Sequence, residues 1–178
     1  MSAPANVAPP KTWVVPARKK QLIVGMGDML VSNDVSAQLI TYSLGSCVGV
    51  SIYDPVAKVG GLLHAMLPDS TINLDRAATR PFMFVDTGMP AMFHSVYALG
   101  GLKHRIIIKL VGGAEFLDEK KIFRIGHRNV ETTLAMLERN GVKLSGQETG
   151  GRESRTVRLD LSNGNFTLDL PGKTPYQL

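Results

Sequence analysis

The 178-residue chain contains a single cysteine, Cys47, and seventeen positions further on a histidine, His64, in an apolar run. A thiol becomes a strong nucleophile when it loses its proton, and a neighbouring imidazole can take that proton near neutral pH. Cys47 follows Gly45-Ser46, where a tight turn can present backbone N–H groups to a developing oxyanion. Taken alone, Cys47 reads better as a small buried hydrophobe. Taken alone, His64, flanked by Leu62, Leu63, Ala65, Met66 and Leu67, reads better as a core histidine whose nitrogens find partners. The spacing changes that reading. A short turn centred on Pro55–Lys58 would set positions 47 and 64 nearly opposite each other, with both side chains on one face of a strand pair. A thiolate–imidazole pair needs that geometry. A third group should hold the second ring nitrogen, and Thr41, six residues before Cys47, is the nearest along the chain. A hydroxyl orients an imidazole but stabilises its cation less than a carboxylate does. By spacing alone Thr41 is an ordinary β-branched strand residue.

The elements that would position these residues follow from periodicity. Gln21–Met26 is apolar and predicts a strand, with Gly25 and Gly27 near its end; Gln38–Ser43 predicts a second. Val48, Val50 and Ile52 alternate, so Cys47 sits at a turn feeding a strand that Asp54-Pro55 ends. Val59–Leu67 then returns antiparallel, because the link is short. Asp69–Pro81 reads as a loop. Met89, Met92, Phe93, Val96 and Leu99 have helical spacing, with Asp86 or Thr87 as cap and Pro90 in the first turn. Ile106–Val111 predicts a buried strand, and Asn129 a cap for a second helix carrying Val130, Leu134 and Leu137. Val142–Gly146, Thr156–Leu161 and Asn165–Leu170 complete the strands, the last two joined across Asn163-Gly164. Strands outnumber helices, which implies a mixed α/β domain with helices on a largely antiparallel sheet system.

Composition narrows the chemistry. One cysteine excludes an internal disulfide and any zinc site built on two or more cysteines. His64, His94, His104 and His127 have no metal-ligand spacing, and the glycine pairs at 60–61, 112–113 and 150–151 form no phosphate or dinucleotide fingerprint, so no metal or cofactor is expected. Asp54, Asp75, Asp86 and Asp118 are scattered and offer no carboxylate pair. The net charge of +5 suits acidic partners or plain solubility, while 6% aromatic residues and no nucleic-acid motif argue against nucleic acid. No apolar run is long enough to cross a membrane and the N-terminus has no apolar signal core, so the expected compartment is the cytoplasm. Nothing reads as a heptad, which suits a monomer. The expected organisation is a proline-rich arm over 1–18, one domain over 19–170 and a tail over 171–178.

At the level of motif, Thr41-Tyr-Ser-Leu-Gly-Ser-Cys47-Val-Gly-Val-Ser-Ile-Tyr-Asp54, followed by His64-Ala-Met-Leu-Pro68, resembles the chemoreceptor glutamine deamidase family, CheD. Gly112-Gly113-Ala114, Ile125-Gly126-His127-Arg128-Asn129 and Gly150-Gly151 with Arg155 extend the likeness, which runs in order from about Ile23 to Leu168. Departures at Ser43, Ser154 (often Gly in the family) and Glu148 (often Asp) touch none of the three candidate residues. The resemblance implies a three-layer α-β-β sandwich, similar to the catalytic domain of the cytotoxic necrotizing factor toxins. It implies hydrolysis of receptor glutamine side chains through Cys47 as nucleophile, His64 as base and acid and Thr41 as orienter, with a thioester intermediate. Backbone N–H groups around Gly45 and Ser46 are the candidate oxyanion donors. The implied partners are methyl-accepting chemotaxis receptors and a CheC-type phosphatase. Two rival readings are a non-catalytic module that docks on receptors or that phosphatase, and a thiol esterase acting on glutamyl methyl esters. The presence of Cys47, His64 and Thr41 together argues against a decayed site.

Overall fold

Val48–Asp54 (β4) and Val59–Ala65 (β5) are buried at every position, glycines and polar residues as well as large apolar ones. The reason is that both faces are covered. Val48, Val50 and Ile52 face helices, whereas the alternate positions face a second sheet. The computed structural model describes residues 19–115 and 124–178. The arm expected over 1–18 lies outside them.

The inner sheet has the order β2 (Asp28–Ser32), β5, β4, β6 (Ile107–Gly112), β7 (Gly146–Thr149). The outer sheet has the order β1 (Lys20–Ile23), β3 (Ala37–Leu44), β8 (Arg155–Asp160), β9 (Phe166–Asp169), β10 (Tyr176–Gln177). In each sheet one pair is parallel (β1 with β3, β6 with β7) and the rest are antiparallel. Leu39, Leu62, Val157, Leu159, Phe166 and Leu168 pack between the sheets. The helices α2 (Val85–Ala98) and α3 (Ile125–Arg139) cover the other face of the inner sheet through Met89, Met92, Val96 and Leu137 against Val50, Ile52 and Leu63. The result is the three-layer arrangement of helices, sheet and sheet, with mixed and mostly antiparallel pairing. No helix among the described residues is long and apolar enough to cross a membrane.

Local corrections have identifiable causes. β2 has no counterpart among the expected strands; it is a short edge strand beside β5 with no clear alternation. Asp69–Pro81 is not a plain loop: it holds a 3₁₀ turn at Ser70–Ile72 and a helix α1 (Leu74–Thr79), capped by the Asp69 and Asn73 side chains. α2 starts at Val85 behind Phe84, so Asp86 is not its cap; the Asp86 carboxylate accepts from the Ser70 backbone and hydroxyl instead. Pro90 consequently lies inside the helix. α3 begins at Ile125, so Asn129 is buried within it and caps nothing. The strand expected at Val142–Gly146 begins at Gly146. Residues 176–177, set apart as tail, pair with β9.

Candidate active site

The two sheets meet at Thr41 and His64. Leu39 and Thr41 lie two apart on β3 and both are buried. A register shift between Thr41 and Leu44, with Ser43 at φ 56°, then bends the chain out of β3 into the Gly45-Ser46-Cys47 turn. That left-handed backbone is one that glycine adopts freely and serine rarely.

His64 lies on β5 between Asp28 of β2 and Gly49 of β4, and only 1% of it is exposed. The register sets Gly49, not Cys47, opposite His64. The direct opposition expected from the turn is therefore off by two positions. Cys47 precedes β4 by one residue and shares the parity of Gly49, so it stands one diagonal step from His64 on the inter-sheet face, where such neighbours are roughly 7–8 Å apart between backbones. Cys47 itself is half-buried against the inter-sheet core.

Proton allocation at Thr41 decides the state of the imidazole. Thr41 Oγ1 is 2.7 Å from the Val24 carbonyl and 2.7 Å from His64 Nδ1. A carbonyl only accepts, so the single hydroxyl proton goes to Val24. Nδ1 must then carry a hydrogen and donate it to Oγ1. In the neutral ring that leaves Nε2 as a bare lone pair, and this buried atom has no hydrogen-bond partner among the described residues. Burial pushes the His64 pKa down to about 4, with no carboxylate opposing it. Burial also pushes the Cys47 thiol up, and its own backbone N–H works against that rise. Both shifts favour the uncharged forms, a neutral thiol and a neutral imidazole.

The turn preceding Cys47 is pinned through its carbonyls. Gly45 O accepts from Ala114 N at 2.8 Å, Cys47 O from Gly113 N at 2.8 Å, and Ser46 O from Asn129 Nδ2 at 3.0 Å. The N–H groups of Gly45 and Ser46 have no acceptor among the described residues. Gly112, at φ 98°, passes so close that a Cβ there would stand 2.3 Å from Cys47 O. Asn129 also donates to Met66 O at 3.0 Å, joining the Cys47 turn to the end of the His64 strand. Sequence reasoning misses this residue by placing it at a helix cap. The signal for it is the buried stripe Gly126, Asn129, Thr133, Leu137, where polar residues recur at helical spacing on the inward face. No three of His, Cys, Asp and Glu converge among the described residues to hold a metal ion. A groove of about 300 Å³ between α2 and α3, lined by Met89, Phe93, Tyr97 and Val142 among others, shares no residue with this site.

Residues 66–169 match the family model described as CheD chemotactic sensory transduction. The chain belongs to the CheD family. Its relatives include a protein of Syntrophus aciditrophicus named probable chemoreceptor glutamine deamidase CheD 1, 49% identical over 85% of this chain and 94% of that one. A Solibacter usitatus protein named probable chemoreceptor glutamine deamidase CheD is 44% identical over 86% and 91% of the two chains. One of the same name from Pyrococcus abyssi is 43% identical over 84% and 91%. Thr41, Cys47 and His64 all precede the segment that the CheD family model matches.

Proposed function

We propose that this CheD protein hydrolyses glutamine side chains of chemoreceptors to glutamate and ammonia, with Cys47 as nucleophile, His64 as general base and acid, and Thr41 as the anchor of the ring. The observation that carries the reading is the allocation of the one Thr41 proton to Val24, which leaves His64 Nε2 as a lone pair on the face that Cys47 shares. The names of the relatives support the substrate class.

The steps balance without a cofactor. His64 Nε2 takes the Cys47 proton while the sulfur attacks the carboxamide carbon. The oxyanion that forms is met by backbone N–H groups of the 45–47 turn; such preorganised donors usually do more than any other group to lower the barrier of acyl transfer. Collapse breaks the carbon–nitrogen bond, and the proton on His64 leaves with ammonia. Water, deprotonated by His64, then cleaves the thioester and returns the thiol. Thr41 keeps Nε2 unprotonated at rest, so the ring is in the basic tautomer before substrate arrives.

Incubating the full chain with receptor cytoplasmic fragments tests this. The expected result is ammonia release and the small mass gain of each converted glutamine with wild type, and neither with Cys47→Ala. Binding by both proteins with no mass change would replace the enzyme by a docking module. Methanol release from methylated receptor, with amides untouched, would replace it by an esterase.

A further inference from the structure

We propose that Asn129 is a positioning residue for acyl transfer: by holding the Ser46 carbonyl it aims the backbone N–H of Cys47 at the oxyanion. The proposal deepens the deamidase reading and rests on it for the identity of the nucleophile.

In a trans peptide the C=O and the following N–H point in opposite directions, so fixing one fixes the other. The carbonyls of Gly45, Ser46 and Cys47 are all drawn into the protein. The two outer ones are held by backbone amides of Ala114 and Gly113, which any sequence would supply there. The middle one belongs to the peptide that carries the Cys47 N–H, and it alone is held by a side chain. That nitrogen is three bonds from the Cys47 sulfur, so its N–H stands beside the place where the negative oxygen of a tetrahedral intermediate on that sulfur would develop.

Asn129 cannot relax out of this role. It is fully buried, and its two Nδ2 hydrogens go to Ser46 O and Met66 O, each at 3.0 Å. Turning the amide over would place its oxygen against two carbonyl oxygens. The observed orientation instead leaves Oδ1 without a partner among the described residues. Burying an unpaired carbonyl oxygen is costly, so the two donations outweigh it. Either an oxyanion role or a purely mechanical one would explain that arrangement, and chemistry at Cys47 separates them.

Two reagents report on the single cysteine of the full chain. With p-nitrophenyl acetate the sulfur attacks the ester carbon, the carbon–oxygen bond breaks, p-nitrophenolate leaves and the thiol proton passes to His64, through an oxyanion. With iodoacetamide the sulfur displaces iodide from a saturated carbon and no oxyanion forms. Rates at Cys47 are followed by mass for wild type, Asn129→Ala and the isosteric Asn129→Asp, with circular dichroism to establish that each is folded. The expected result is acylation slowed roughly 10–100-fold in both variants while alkylation stays within about threefold of wild type. Parallel loss of both rates would overturn the proposal, since Asn129 would then merely keep Cys47 near His64. Unchanged acylation would overturn it too. So would a wild type that iodoacetamide alkylates but the ester never acylates. A wild type that is acylated normally yet converts no receptor glutamine would defeat the deamidase reading alone, and the ratio of the two rates would still decide the role of Asn129.

Discussion

Replacing His64 with glutamine is expected to slow receptor-glutamine conversion by roughly 10²–10⁴-fold, the usual contribution of a positioned general base. Glutamine keeps a polar side chain at the buried position but cannot carry the Cys47 proton to the leaving ammonia. The same substitution should alter acid stability in a direction set by the pKa. In the folded protein His64 titrates at about 4, and in an unfolded chain near 6.5. The unfolded state therefore binds the extra proton first as pH falls. Stability contributed by the neutral buried ring is complete above about pH 6.5 and lost as pH drops toward 4, amounting to about 3 kcal/mol. Urea unfolding across that window should show this loss in wild type and a flatter profile in His64→Gln. Equal slopes for the two proteins would mean that His64 is not held neutral.

Gly112→Ala is expected to cost roughly 2–4 kcal/mol and most of the activity, because two penalties fall on one atom. The backbone there has φ 98°, which an L-residue with a Cβ rarely adopts, and the added Cβ would meet Cys47 O at 2.3 Å. The carbonyl cannot retreat without breaking its bond from Gly113 N, and Cys47 moves with it. Thermal unfolding measures the first effect and receptor-glutamine turnover the second. A variant with wild-type stability and turnover would show that the turn has more freedom than the contact allows.

The parts of this fold that are legible in the sequence are those set by local rules. β4 follows from period-two alternation ended by Asp54-Pro55, β5 from an apolar run returning after a short link, and β8 and β9 from alternation around Asn163-Gly164. Register is legible only approximately, because a shift of two residues keeps every side chain on its face and leaves the hydrophobic pattern unchanged. That shift moves Cys47 from opposite His64 to a diagonal position. The contact of Thr41 with His64 joins two different sheets, and no periodicity within either strand encodes a distance across the gap. Asn129 is obscured for a related reason. Its type favours helix caps, but its partners, Ser46 and Met66, come from loops far away in the chain, and they override that local preference. β2 carries no alternation to mark it, and it exists because β5 offers an edge.

Because Cys47 is the only cysteine, iodoacetamide can modify the proposed nucleophile and no other thiol in the chain. The most direct measurement is therefore receptor-glutamine turnover by protein alkylated to completion at Cys47, with intact mass establishing one added group and circular dichroism an unchanged fold. The expected result is that such protein releases no ammonia from receptor fragments while the unmodified protein does. Ammonia release at the same rate from both preparations would contradict it.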